Sequence, residues 1–487
     1  MSKIFILIIL ALTLPLHFIG IGELTRGLAP EEVSHALSAH QLRNSSFSNL
    51  QFPNSLSTPS FVYSAFTSII FSIFDYGIWQ LRIVSALAGA VSAISIYFLT
   101  FKILEASNYM FGPASQLRIT SFIVTLVFSF SPWSTHFSRF ASAHNLGLTM
   151  YLLGTLLFLN FLFVKTSTLI AYRYLFAFTF SFTLFLSFFT APYFAAAMLV
   201  SCAFILCCFV YRKIVPYLLV IYLIALTYLV SSGNLALYFS YYHLTNLFFG
   251  IELASIYRVS EVGLLLAPFM PFFLLGLYHI ATLPNLRFYF FGSILGFPLL
   301  LLIFSPLRID YANGLILLPY FSLSIALGLI QLTKLLLSSK LTFRFGKLIP
   351  RLANLTIFTV ACYAFISFWH IYHQHYPLDA WPQWSTHWTK GAFYIAQSYP
   401  QATYVVMEES PQVTSYVQFF DLVFHNNVSR TLIGLESAAE LYPLLPDGAV
   451  VGIGGWRATP SNFQDTHFVS LPDQQGSIIY KVGLWQK

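Results

Sequence analysis

Charge is what this sequence has least of. Only 8% of its 487 residues are Asp, Glu, Lys or Arg, against 57% hydrophobic and 18% aromatic, and its mean hydropathy is +0.73. A soluble fold of this length could not cover itself with so few charges, so the composition indicates a polytopic membrane protein. Cysteine is scarce too. Cys202, Cys207, Cys208 and Cys362 all lie within apolar stretches, which argues against a disulfide framework or a zinc site and leaves them as small buried hydrophobes. No ionisable residue falls in the middle of a long apolar run, whereas ion-coupled transporters and channels carry such groups along their pathway. Nor is there an internal repeat of the kind that marks many transporters.

What is present is a series of apolar runs. Those long enough to cross a bilayer as helices lie at about 4–21, 80–103, 118–135, 145–164, 171–190, 192–211, 214–231, 263–282, 288–305, 314–335 and 352–371. The first, "MSKIFILIILALTLPLHFIGIG", has the single Lys of a signal peptide but no small-x-small cleavage site, and reads as a retained helix. The run 59–76 is Ser/Thr-rich, opens with Pro59 and ends near Asp75; it is expected to lie along the interface as a juxtamembrane helix or hairpin. With eleven spans and an N-terminus inside, the cytoplasmic side holds Lys3, Lys102, Arg118, Lys165, Arg173, Arg212, Lys213, Arg287, Lys334, Lys340, Arg344, Lys347 and Arg351. Of the 17 acids only Glu105 joins them. Counting 59–76 as a span would move most of these cations outside, against the positive-inside rule. The net charge of +7 is therefore a topology signal and an attraction to anionic lipid headgroups rather than a nucleic-acid footprint. Trp369, Trp381, Trp384 and Trp388, with Tyr372 and Tyr376, form an aromatic belt where the last span ends.

The expected organisation is a transmembrane domain over 1–372 and a small α/β domain over 373–487, outside the membrane, beside an outer loop at 22–79 and another at about 232–262. In the C-terminal part, "ATYVVMEE", "GAVVGIGGW" and "GSIIYKVGLW" read as strands, and "WTKGAFYIAQSY" and "ESAAELYPLL" as helices. The "GIGG" within it is too short to be a dinucleotide fingerprint and reads as a turn.

Polar residues on the outer side are the candidates for chemistry. "PEEVSHALSAHQL" places Glu31 and Glu32 in the first turn of a helix that opens with Pro30. Adjacent helical positions stand about 100° apart, so only one of the two can face a given site. Both read equally well as ordinary helix-start acids. "SPWSTHFSRFASAHN" carries His136, Arg139 and His144, where an arginine can also merely snorkel. "YYHLTNLFFGIELASIYRVSE" carries His243, Glu252, Arg258 and Glu261, and can equally be an amphipathic segment on the membrane surface. "SPLRIDYANG" carries Arg308 and Asp310, which can pair with each other. The cluster His370, His373, His375 has a metal-compatible spacing but no carboxylate or Cys beside it.

In order along the chain, the carboxylate-bearing loop, the Pro-led aromatic segment, "DYGIWQLRIVSALAGAVSAISIYFL" and "SPWSTHFSRFASAHNLGLTMYLLGTLLFL" resemble the GT-C superfamily. Within it the likeness is to the dolichyl-phosphate-mannose-protein mannosyltransferase and aminoarabinose transferase branch, over most of residues 1–335. The resemblance implies a membrane glycosyltransferase that takes a monosaccharide from a polyprenyl-phosphate donor and passes it to a hydroxyl of a protein, lipid or glycan on the outer face of a prokaryotic cell membrane. By position, Glu31 matches the family's catalytic acid (usually Asp), with Glu32 supporting the helix end through a charge interaction of about 0.3–1 kcal/mol. Arg82 and Arg139 match basic residues, and His243 a histidine, with Arg258 and Arg308 further cations for the donor phosphate. No organic cofactor is implied; a divalent metal ion beside the phosphate is compatible with the chemistry. Three departures stand out: Glu replaces Asp at position 31, Thr58 stands where the family usually has Lys, and "DYANGLILLP" lacks the Arg often found before that span. Rival readings are a lipid-linked sugar flippase and an inactive relative serving as a scaffold.

Overall fold

The computed structural model describes residues 2–23, 27–44, 60–106, 114–163, 170–190, 265–283, 315–338, 348–374, 385–408, 412–426, 428–435, 444–455, 468–472 and 478–485, with isolated residues between 194 and 205 and at 286 and 290. In chain order the helices are α1 (Ser2–Phe18), α2 (Pro30–Asn44), α3 (Phe61–Phe74), α4 (Ile78–Ala106), α5 (Ala114–Ser129), α6 (Pro132–Phe137), α7 (Ala143–Phe163), α8 (Ile170–Thr190), α9 (Met270–Ala281), α10 (Leu318–Ser338) and α11 (Leu348–Gln374). They are followed by α12 (Thr386–Ser398), β1 (Tyr404–Glu408), α13 (Val413–Val423), β2 (Thr431–Leu435), β3 (Val450–Gly454), β4 (Phe468–Pro472) and β5 (Ile478–Leu484). The chain forms two compact units. One comprises Met1–Ile19, Ser85–Leu253 and Tyr257–His370; the other comprises Gly20–Val84, Ala254–Ile256 and Ile371–Lys487.

The first unit is helical. Among the described residues, the helical stretches Ile78–Ala106, Ala143–Phe163, Leu315–Ser338 and Arg351–Gln374 are long and apolar enough to cross a bilayer. Exposed residues of this unit are greasy, as a lipid-facing surface requires: Tyr174, Phe178, Phe182 and Phe185 line one side of the shorter apolar helix α8, and Leu352, Leu355, Phe358, Tyr363 and Ile366 are exposed on α11. Lipid tails are as apolar as leucine, so helices here are joined by close packing and by hydroxyl and amide side chains instead of by water exclusion. On α7, the Asn145 amide donates to the Ser85 carbonyl of α4 at 2.8 Å and the Thr149 hydroxyl to the Ala88 carbonyl at 2.9 Å. Ser92 and Thr149 hydroxyls meet at 2.8 Å. α9 and α10 pack backbone to backbone. A Cβ at Gly276 would collide with the Ser324 carbonyl, and one at Gly328 with the Phe272 carbonyl, while Ser324 Oγ donates to the Phe273 carbonyl at 2.9 Å.

In the second unit α3 packs on α2. Ser60 caps α3 by accepting the Tyr63 N–H at 3.3 Å. α3 has 14 residues, about 21 Å at 1.5 Å per residue, well short of a hydrocarbon core of about 30 Å. The C-terminal part is a five-stranded sheet of order β2-β1-β3-β5-β4. β1 runs parallel to β2 and β3, and β5 antiparallel to β3 and β4. α13 is the crossover between parallel neighbours β1 and β2. Val405, Val406, Met407, Val451, Ile453 and Val482 are fully or almost fully buried in the sheet, as are Ala392, Ile395, Phe419 and Phe420 on α12 and α13. The glycines of "GIGG" are not a turn throughout. Gly452 and Gly454 belong to β3, and a Cβ at 452 would press into the Tyr480 ring, so glycine there makes room for an aromatic on the neighbouring strand. "ESAAELYPLL" lies mainly outside the described residues.

The α9–α10 contact is the tightest test of this packing. Gly276→Leu or Gly328→Leu must push two helix backbones apart, at a cost above the roughly 1–3 kcal/mol typical of overpacked cores. The expected outcome is loss of monodisperse protein in detergent on size-exclusion chromatography, with Leu274→Ala on the exposed side of α9 as a tolerated control.

Candidate functional site

The start of α2 decides the fates of the two glutamates. Ala29 is the N-cap and Pro30 the first helical residue, so Glu31 and Glu32 occupy the second and third positions. From the third position a glutamate can fold back on the N-cap, half of a capping box, and Glu32 Oε2 accepts the Ala29 N–H at 3.0 Å. Gly27, just upstream, has φ of +80°, a left-handed conformation that costs glycine nothing.

Glu32 is fully buried, and its carboxylate is gripped by Arg82 of α4. Arg82 Nε donates to Oε1 at 2.7 Å and Nη2 to Oε2 at 2.9 Å, a bidentate pair. The remaining guanidinium donors go to main-chain carbonyls: Nη1 to Ile21 and Glu23, both at 3.1 Å, and Nη2 to Gly27 at 2.9 Å. A guanidinium has five N–H groups, and these five acceptors use them all.

Glu31 points elsewhere. Its side chain is 27% exposed, and Oε1 lies 3.5 Å from Nε2 of His35, one turn along the same face. His35 is buried, packed against Tyr63 at 4.6 Å between ring centres with the rings tilted by 39°, and has Nδ1 3.4 Å from the Ser64 hydroxyl. Farther along α2, His40 Nδ1 meets the Tyr76 hydroxyl at 2.7 Å; burial, then the charge of Arg43, lower its pKa. Behind the helix start, Thr389 Oγ1 accepts the Leu28 N–H at 2.9 Å and the Tyr416 hydroxyl donates to the Leu28 carbonyl at 3.0 Å. Burial raises the Tyr416 pKa; a hydrogen bond with Ser385 opposes this and the charge of Glu32 reinforces it, so the phenol stays a donor.

Arg139 belongs to the other unit. It follows α6, whose N-cap Ser131 accepts the Ser134 N–H at 3.0 Å. The residue does not snorkel: it is 1% exposed, donates from Nη1 to the Leu16 carbonyl at 2.8 Å, and lies over the Trp369 ring at 5.0 Å. Trp369, expected as a membrane-belt residue, is thus also a cation–π partner. The structure brings Glu31, Glu32 and Arg82 together within one unit and assigns Arg139 to the other. His243, Arg258 and Arg308 lie outside the described residues, as does Thr58. Among the described residues no group of three His, Cys, Asp or Glu is arranged to hold a metal ion.

Two outcomes differ from what residue type and order suggest. Arg82, matched to a donor-phosphate ligand, has each of its N–H groups directed at the protein. Glu32 is held by far more than a helix-end charge effect. The third-position glutamate after Ala-Pro was the legible signal for its inward turn; the arginine 50 residues away was not. Breaking a buried ion pair by removing one partner costs about 3–5 kcal/mol. Glu32→Gln is therefore expected to lower unfolding stability by that order, and Arg82→Lys to fail as a substitute because an ammonium cannot reach five divergent acceptors. A double-mutant cycle of Glu32→Gln with Arg82→Met, read by denaturant unfolding, should be strongly non-additive; additive losses would contradict the pairing.

At the level of sequence, no protein-family model matches the chain and no curated protein matches it. Solved structures do. ArnT from Cupriavidus metallidurans in the apo state matches at a TM-score of 0.52 and 12% identity, covering 99% of this chain and 98% of that one. The same protein bound to undecaprenyl phosphate matches at 0.54 and 14%, with the same coverage. The archaeal oligosaccharyltransferase AglB from Archaeoglobus fulgidus, in complex with an inhibitory peptide and a dolichol-phosphate, matches at 0.51 and 13%, covering 93% of this chain and 70% of that one. The chain thus shares the fold of ArnT and AglB.

Proposed function

We propose that this chain is a membrane glycosyltransferase that moves a monosaccharide from a polyprenyl-phosphate donor to an acceptor hydroxyl on the outer face, with Glu31 as general base. The observation that carries this reading is the unequal state of the paired acids. Glu32 is consumed by Arg82, while Glu31, two residues past the helix cap, keeps an accessible carboxylate on a rigid element. The fold supports it, as do the undecaprenyl phosphate and dolichol-phosphate held by the structural neighbours.

The chemistry suits one solvent-accessible carboxylate. As the acceptor oxygen attacks the anomeric carbon, its proton passes to Glu31 and the bond from that carbon to the phosphate oxygen breaks. The leaving polyprenyl phosphate is already an anion and needs no acid to protonate it. It needs positive charge, and the residues proposed to supply it are Arg139, His243, Arg258 and Arg308. Arg82, with its donors committed to Glu32 and the loop, is reassigned to holding the loop. A divalent ion at the phosphate remains compatible with this route. Displacement in one step inverts the anomeric configuration.

The outer-face assignment rests on the thirteen-to-one cation imbalance, with the N-terminus in the cytoplasm and the C-terminal region outside. In a variant lacking the native cysteines, single cysteines placed at Ser339 and Ser398 should be labelled by an impermeant maleimide from opposite sides; labelling of both from one side would overturn the orientation.

The activity test uses membranes supplied with a panel of polyprenyl-phosphate hexoses and pentoses, radiolabelled in the sugar. Label should leave the lipid fraction with the native chain. Glu31→Gln keeps the shape but removes the proton acceptor, and should lower turnover by roughly 10²–10⁴-fold. Glu31→Asp restores the family's residue and should retain activity. Equal transfer by Glu31→Gln and the native chain would sink the assignment.

A further inference from the structure

The main chain just before α2 has no secondary-structure partner, yet it is entirely buried: Leu28 and Ala29 show no exposed surface. Buried peptide groups must find hydrogen bonds, and here side chains from four helices provide them. The Gly27 carbonyl takes Arg82 from α4, and the Ala29 N–H takes Glu32 from α2. Both polar groups of Leu28 are held from the C-terminal region, its N–H by Thr389 of α12 and its carbonyl by Tyr416 of α13. Those two side chains are themselves tied to one residue. Thr389 Oγ1 donates to the Ser385 carbonyl at 3.0 Å, and Tyr416 shares a hydrogen bond with the Ser385 side chain. Ser385 is buried in a left-handed conformation at φ +49°, where α12 begins. α12 and α13 are in turn anchored by the sheet: the Tyr480 ring of β5 fills the space beside Gly391 of α12.

We propose that Thr389 and Tyr416 are positioning residues for the glutamate pair, and that the C-terminal α/β region serves the reaction by fixing the peptide from which α2 and its Glu31 project. This rests on the transferase reading for its catalytic consequence, but not for its structural one. A hydroxyl that accepts from Leu28 N–H while donating to Ser385, and a phenol that donates to the Leu28 carbonyl, hold two successive peptide planes, whose other edges are held by Arg82 at the Gly27 carbonyl and by Glu32 at the Ala29 N–H. Rotation of either plane would swing the helix start, and with it the direction of Glu31. Small misplacements of a reacting group are costly to rate, about 10²-fold for roughly 1 Å.

The test uses the full chain in nanodiscs, with Thr389→Val and Tyr416→Phe, which each remove the hydrogen bond to Leu28 together with the one to Ser385 and change the shape little, and Thr389→Ser, which keeps both. Hydrogen exchange followed by mass spectrometry should show the amides of residues 28–33 exchanging about tenfold faster or more in the first two variants. The amides of β1 and β3 should be unchanged, and Thr389→Ser should behave as the native chain. In the radiolabel assay, both loss variants should lower kcat by about tenfold with KM within about twofold, and Thr389→Ser should restore it. Unaltered exchange at 28–33, or equal acceleration throughout the sheet, would overturn the positioning role. Should the native chain move no label from any donor while the exchange result holds, the transferase reading fails and the clamp stands.

Discussion

The second unit is organised around one buried ion pair. Removing Glu32 and Arg82 from water costs several kcal/mol per ion, and their attraction offsets this only if every remaining polar atom is satisfied. The structure meets that condition on both sides: the guanidinium reaches two carboxylate oxygens and three carbonyls, and Oε2 also accepts the helix-cap N–H. Such a pair adds little net stability compared with apolar residues of the same volume. Its use here is geometrical. It ties the start of α4 to the turn after α1 and to the cap of α2, so three separate stretches of chain share a single register.

The helical unit solves a different problem with the same materials. In a chain with only 8% charged residues, it joins helices by contacts that lipid cannot imitate. Asn145, Thr149, Ser92 and Ser324 place hydroxyls and an amide against neighbouring backbone or side chains, and Gly276 and Gly328 let two backbones touch. Tyr151, Ser201 and Tyr320 close a triangle of hydroxyls at 2.5, 2.9 and 3.1 Å. Each group satisfies its own hydrogen-bonding need while specifying a neighbour.

How much of this could be read from residues alone depends on the distance over which each signal acts. Long apolar runs, the Pro-led α3, and the strands at "ATYVVMEE", "GAVVGIGGW" and "GSIIYKVGLW" follow from local periodicity, and the structure contains a helix or strand in each described case. The missed strands, β2 and β4, are the two edges of the sheet, five residues each, and β4 ends in Pro472. Short edge strands carry little alternation, and a proline weakens what remains. The arginines were visible as scarce outer cations, but their partners were not. The pairing of Glu32 with Arg82 spans 50 positions, and that of Thr389 with Leu28 spans 361; composition and spacing carry no information about contacts at that range.

The adjacent glutamates show how a long-range contact can decide a local question. The helix period alone sets Glu31 and Glu32 about 100° apart without saying which faces inward, and the one local signal is the third-position glutamate folding back on the cap. Arg82 settles the rotation of α2 by taking the residue in the third helical position. Once Glu32 turns in, Glu31 is carried to the partly exposed side, and His35, four residues on, comes beneath it. A one-residue slip would exchange the two roles, but it would also move the carboxylate off the Ala29 N–H and the Arg82 fork together. The direction of Glu31 is therefore set less by its own contacts than by the burial of its neighbour.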